Sequence, residues 1–175
     1  MIPQDALILI PLALLSLCTI YAMVTDVQSY RIPNKVNGSI LLLFIVTRSL
    51  FIIDLPVLDS LYAFAATFAI GYILFAFSIM GGGDVKMLSV LVLWIGWSMS
   101  LVEYLVVVAI VGGFFTIILL LARVLMPFMM IKMQWQDKPI PRLFTTGAPV
   151  PYGVAIGCVF LWMLWSGQFT MYKLV

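Results

Sequence analysis

The sequence contains no histidine and only two cysteines, Cys18 and Cys158, each alone inside a hydrophobic run. The Cys and His spacings of a zinc site therefore cannot be built. A serine or cysteine nucleophile with a histidine base beside it is equally excluded. Charge is scarce too: seven acids and nine bases make up 9% of the chain, against about 25% in an average soluble domain. A carboxylate-only metal site would need several of those acids close together, so no metal and no cofactor are expected. The net charge of +2 is too small and too scattered to mark a nucleic-acid surface. What the sequence has in excess is apolar side chains, 65% of 175 residues, which rules out a water-soluble globule. At about 20 residues per helical crossing, the length allows five or six crossings once loops are subtracted. The expected fold class is all-α, a polytopic membrane protein of about six transmembrane helices, with residues 1–175 as one integral-membrane domain.

The apolar runs divide accordingly. The first spans residues 6–24; with no basic region before it and no small-residue cleavage pattern after it, it reads as a retained helix. Further segments are expected over 38–53, 60–80, 87–98, 104–126 and 152–165, with Glu103 separating the fourth from the fifth. The stretch 127–151 reads as a loop with an interfacial part anchored by Trp135. Arg31, Lys35, Lys86, Arg123, Lys132, Lys138 and Arg142 fall in or beside the first, third and fifth loops, while Lys173 alone falls clearly on the other side. The positive-inside rule then places those three loops in the cytoplasm and both termini outside. Asp5, Asp54, Asp59 and Glu103 fall opposite. Small residues four apart, at Ala65 and Ala69, Ala109 and Gly113, and Gly153 and Gly157, are candidates for close helix packing.

Ionisable groups near membrane depth are functional candidates by default, and here they are Asp26, Arg48, Asp84, Lys86 and Glu103. Asp26 is expected at the end of the first helix and Asp84 at the opening of the fourth, at the same depth on the same side. Cys18, Thr19, Ala22 and Met23 form a small, partly polar stripe leading up to Asp26 and should face protein. Two carboxylates can hydrolyse a peptide bond without metal: one, ionised, draws a proton from water while the other, protonated, donates to the substrate carbonyl. Crowding and desolvation resist ionising both, so at least one pKa is expected to rise toward neutrality. The glycines Gly81, Gly82 and Gly83 would let a substrate backbone approach closely. Each group also has a plainer reading: Asp84 as a helix N-cap, Asp26 as an interfacial acid paired with Arg31 or Lys35, and Lys86 as a snorkelling anchor.

Asp26, then five residues, then Ile32-Pro33-Asn34 after a first helix, followed two hydrophobic segments later by Gly81-Gly82-Gly83-Asp84-Val85-Lys86, resembles the type IV prepilin peptidase family, membrane aspartic peptidases of the GxGD kind. Pro149-Val150-Pro151-Tyr152-Gly153-Val154-Ala155-Ile156 is similar to that family's third, looser signature. The resemblance implies that Asp26 and Asp84 are the two catalytic aspartates. It implies substrate-binding or supporting roles for Ile32, Pro33, Asn34, Gly81, Gly82, Gly83, Lys86, Pro151, Tyr152 and Gly153. It also implies a prepilin or pseudopilin substrate with a basic leader, cut after a small residue, usually glycine, at the cytoplasmic membrane face, with pilus assembly machinery as a possible further partner. Longer members carry a cytosolic insertion with paired Cys-x-x-Cys motifs, associated with zinc and with methylation of the new N-terminus. This chain has neither the cysteines nor the space. It is similar to the short form associated with Flp-type pili, so methylation is not expected.

Two other readings stand beside the peptidase. One is a small proton- or cation-coupled transporter subunit using Asp26 and Asp84, with the glycines as a broken-helix loop, although no inverted repeat is evident between the halves. The other is a non-catalytic scaffold of a secretion system.

Overall fold

The computed structural model describes residues 4–50, 55–132, 142–145 and 147–169. Asp54, Lys173 and the Trp135 loop with Asp137 and Lys138 lie outside the described residues. Six α-helices follow in chain order: α1 Gln4–Ser29, α2 Asn34–Ser49, α3 Val57–Ala76, α4 Gly82–Val92, α5 Met99–Lys132 and α6 Gly153–Trp165. A 3-10 turn at Arg142–Phe144 precedes α6. Among the described residues there is no strand, so the all-α expectation holds. Ile8–Ser29, Val57–Ala76 and Met99–Phe128 are long and apolar enough to cross a bilayer. The helix α4, at 11 residues, is too short to span the hydrocarbon layer by itself.

Local chemistry fixes the helix ends. Pro33 and Pro56, with φ of −62° and −57°, occupy the N-cap positions of α2 and α3, where proline's missing N–H leaves no helical bond unmade. The helix α1 runs one turn further than the hydropathy suggests. Thr25 and Ser29 hydroxyls donate to carbonyls of the preceding turn, and the helix stops at Tyr30, whose φ is +53°. The Tyr30 N–H closes the end on the Asp26 carbonyl at 2.8 Å, a left-handed cap normally made by glycine. The helix α3 ends the same way at Ser78, φ +58°, with Ile79 N–H on Leu74 O at 2.9 Å.

Other boundaries move as well. Glu103 does not separate two segments but lies inside α5, and Pro127 lies inside it too. One charge near a helix start does not stop the helix, and membrane helices tolerate proline where neighbours compensate the lost bond. The helix α4 starts at Gly82, ahead of the expected residue 87, and ends at Val92, ahead of 98. A turn at Gly96, φ +72°, follows it.

The helix α4 is the centre of the bundle and packs on α2, α3 and α6. Met87, Leu91, Val92, Trp94 and Ile95 are almost wholly buried. Around them close Ile40 and Phe44 of α2, and Ile156, Phe160 and Met163 of α6. The Phe44 ring meets Trp94 edge-on at 5.7 Å. The outward faces stay apolar, as at Phe114, Ile118 and Leu121 of α5, which suits lipid and not water.

Of the three small-residue pairs, one forms an interface. A Cβ on Gly157 would lie 2.5 Å from Met23 Sδ and 3.2 Å from Thr19 Cγ2, so α6 packs closely on the stripe leading to Asp26. Ala65 and Ala69 are exposed, and nothing lies within 4 Å of where a Gly113 Cβ would be. The buried stripe of α3 is instead Ser60, Ala63, Thr67 and Gly71, one to three turns apart along the face that meets α4.

Candidate active site

Asp26 stands one turn from the end of α1 and is buried; Asp84 stands in the first turn of α4 and is buried. Both line the same two adjoining cavities, of about 780 and 440 Å³, and Tyr30 and Gly81 line both as well. The larger one is within the usual range of ligand pockets. The Gly153 N–H donates to Asp26 Oδ2 at 2.8 Å. Asp84 Oδ1 and the Tyr30 hydroxyl are buried without a hydrogen-bond partner among the described residues. Asp84 lies in the glycine turn outside the long spans. Burial first, and the nearby Asp26 second, push its pKa up to about 7, against the opposing pull of the Gly81 and Gly153 amides.

The N-cap reading of Asp84 fails on position: Gly81 is the N-cap of α4, with φ −70° and ψ 142°, and Asp84 is the third residue inside. The three glycines are less open than expected. A Cβ on Gly81 would lie 2.7 Å from Asp84 Oδ2, on Gly82 3.3 Å from the Phe75 ring, and on Gly83 3.4 Å from Ile32 Cβ. Their bare faces are taken up by neighbouring side chains, although all three still border the smaller cavity.

The other expected site residues gather here as well. Ile32 is buried between two turns, facing Gly83 on one side and Gly153 on the other. Pro33 starts α2, and Asn34 Oδ1 accepts from Lys86 Nζ at 3.0 Å. Tyr152 borders the larger cavity with its ring packed on Gly112 of α5, and Pro151 is buried beside it. Lys86 is exposed at the rim. Asp59 and Glu103 lie at the other end of the bundle: Asp59 stands by the Gly96 turn, and Glu103 is near the start of α5. Arg48 lies in the last turn of α2, at its far end.

Two neighbours of the site, Tyr30 and Ser78, carry no sequence signal, and Pro149 of the third signature joins them. Tyr30 and Ser78, both at positive φ, and Pro149 border the larger cavity. A non-glycine residue held in this region costs on the order of 1–3 kcal/mol and tends to mark functional sites. Among the described residues no cluster of three or more acids, cysteines and histidines forms that could hold a metal.

No curated protein and no solved structure matches this chain. The family model described as the type IV leader peptidase family matches residues 13–121, a stretch that includes Asp26, the Ile32-Pro33-Asn34 turn, Gly81–Gly83 and Asp84 and ends before Pro151-Tyr152-Gly153. With more than half of its length matched, this all-helical integral membrane protein belongs to the type IV leader peptidase family.

Proposed function

We propose that the protein is a membrane-embedded aspartic endopeptidase that removes the leader peptide from Flp-type prepilins or pseudopilins at the cytoplasmic face of the bacterial inner membrane. The reading rests on one observation above all: two buried carboxylates from separate helices line the same cavities, with the Gly153 amide acting on both. Membership of a leader peptidase family supplies the reaction class.

The chemistry follows from the asymmetry of the pair. Asp26 accepts the Gly153 N–H at 2.8 Å, which holds the carboxylate in place as the base. Burial, and then the nearby Asp26, favours the protonated form of Asp84, which we take as the acid. Asp26 takes a proton from water as the water oxygen attacks the scissile carbonyl, and Asp84 donates its proton to the carbonyl oxygen. Collapse of the tetrahedral intermediate breaks the C–N bond, with a proton passing to the leaving nitrogen. The leader departs as a carboxylic acid and the pilin as an amine. No metal or cofactor takes part.

Orientation rests on charge. Arg31, Lys35 and Lys86 lie at the end of the bundle that carries the aspartates, where Lys86 bonds Asn34. Under the positive-inside rule that end faces the cytoplasm, where a basic leader would remain. The chain acts as a single domain, the pilus assembly machinery receives the product, and no methyl transfer accompanies cleavage.

Processing of a co-expressed prepilin by Asp26→Asn, Asp84→Asn and the double variant tests the dyad. Each single change is expected to abolish cleavage, with the double no worse, because residues acting as one unit are not additive. Near-normal processing by Asp84→Asn in a protein that still accumulates would refute it. It would also return the aspartates to the transporter reading.

A further inference from the structure

Arg123 lies on α5 at the same end of the bundle and is 4% exposed. A buried arginine within an apolar helix needs partners, and here they are backbone carbonyls. Its Nε donates to Leu143 O at 3.0 Å, Nη1 to Ala148 O at 2.6 Å and Nη2 to Pro149 O at 2.9 Å. One guanidinium therefore ties Leu143 in the 3-10 turn, and Ala148 and Pro149 just before α6, to α5. Irregular backbone at membrane depth is sustained only where its carbonyls are satisfied, and three of them are satisfied by this one side chain.

The last of the three, Pro149, starts a short stiff arm. Pro149 and Pro151 have fixed φ, and the Tyr152 N–H closes on Val150 O at 2.9 Å. The Tyr152 ring rests on Gly112, three turns back along α5 from Arg123. At the tip of the arm the Gly153 N–H meets Asp26. The same helix thus holds the arm at two points, by charge at Arg123 and by contact at Gly112.

We propose that Arg123 is a positioning residue for the catalytic pair: it clamps the Leu143, Ala148 and Pro149 carbonyls so that the Pro149-to-Gly153 arm presents the Gly153 amide to Asp26. Its charge is directed to backbone carbonyls as well as to orientation in the membrane. The inference rests on the peptidase reading above and deepens it by one residue.

The test uses the full-length protein in detergent and a synthetic peptide with a basic leader, a glycine at the cut and an apolar segment after it. Wild-type protein that does not cleave the peptide would overturn the peptidase reading itself. Given cleavage, Arg123→Gln is expected to lower kcat on the order of 100-fold, the effect of a displacement of about 1 Å at a catalytic group, with KM nearly unchanged. Arg123→Lys keeps the charge but cannot reach three carbonyls, so it should recover part of the loss. Combined with Gly153→Ala, Arg123→Gln should cost little beyond the larger single effect, because both act on one hydrogen bond. Multiplying effects, or a rise in KM alone, would reduce Arg123 to a general support of the fold and overturn the proposal. Should Arg123→Gln fail to accumulate, Arg123→Lys decides: a wild-type kcat overturns the proposal, and a reduced kcat that does not multiply with Gly153→Ala supports it.

Discussion

The Gly153 amide reaches Asp26 Oδ2 at 2.8 Å across 127 positions of chain. This contact seats the start of α6 against the end of α1. Ile32 is the spacer of the arrangement, facing Gly153 on one side and Gly83, the residue before Asp84, on the other. The three sequence signatures thus meet around one isoleucine, and the bare glycines on either side of it let the starts of α4 and α6 close on the end of α1, so that Asp84 and Asp26 share a cavity.

Gly153→Ala should disable the site without unfolding the protein. The added Cβ would lie 2.8 Å from Asp26 Oδ2 and 2.9 Å from Ile32 Cδ1, and the carboxylate cannot withdraw without giving up the amide. Prepilin processing, read from the mobility shift on cleavage, is expected to fall at least about tenfold at unchanged protein level. Gly38→Ala is the matched control: nothing lies within 4 Å of its new Cβ. Exchanging a helical glycine for alanine should be neutral or stabilise by about 0.5–1 kcal/mol.

Much of this was legible in the sequence, for particular reasons. The aspartates stood out because an ionised group in an apolar run is conspicuous, and the Thr19, Ala22 and Met23 stripe because small residues interrupt a bulky helix. The stripe does face α6, through Gly157. The failures are equally specific. Ala65 and Ala69 face outward while Thr67 and Gly71 face α4, since hydropathy cannot separate a lipid-facing apolar surface from a protein-facing one. Tyr30 and Ser78 end their helices in the left-handed region, where glycine is the residue a reader would look for. The partners of Arg123 are carbonyl oxygens, which every residue has, so no side-chain pattern announces them.

Topology gives a second test. With Arg31 and Lys35 following α1 and Asp59 opening α3, reporter fusions after Lys35 and after Leu58 should report opposite sides of the membrane. The fusion after Lys35 should give the cytoplasmic signal. Equal signals would break the assignment of the site to the cytoplasmic face.

A third concerns zinc and methylation. Cys18 and Cys158 are unpaired and sit on different helices, and the link from α1 to α2 is only a short turn. A chelator should therefore leave cleavage intact. Mass spectrometry of the processed pilin should find a free amino terminus when this protein is the sole processing enzyme. An N-methyl group that depended on this protein alone would show a second activity.

The last test is pH. Asp84, pushed up to about 7 by burial and then by Asp26, must hold its proton to act as the acid. Above about pH 7 the pair becomes doubly ionised, and kcat should fall along an alkaline limb; at low pH the base protonates and the rate should fall again, giving a bell. Stability carries the same signature with a definite sign. A carboxyl whose pKa is 3.8 in the unfolded chain and about 7 in the folded one binds more protons when folded. Its contribution therefore favours folding below the lower value and is lost progressively as pH rises through the interval. Asp84→Asn removes that loss, so near pH 8 the variant should melt at a higher temperature than wild type while cleaving nothing, and near pH 4 the two should melt alike. A variant that melts lower than wild type near pH 8 would mean that Asp84 is ionised and stabilised in the fold, and the proton assignment in the dyad would have to be reversed.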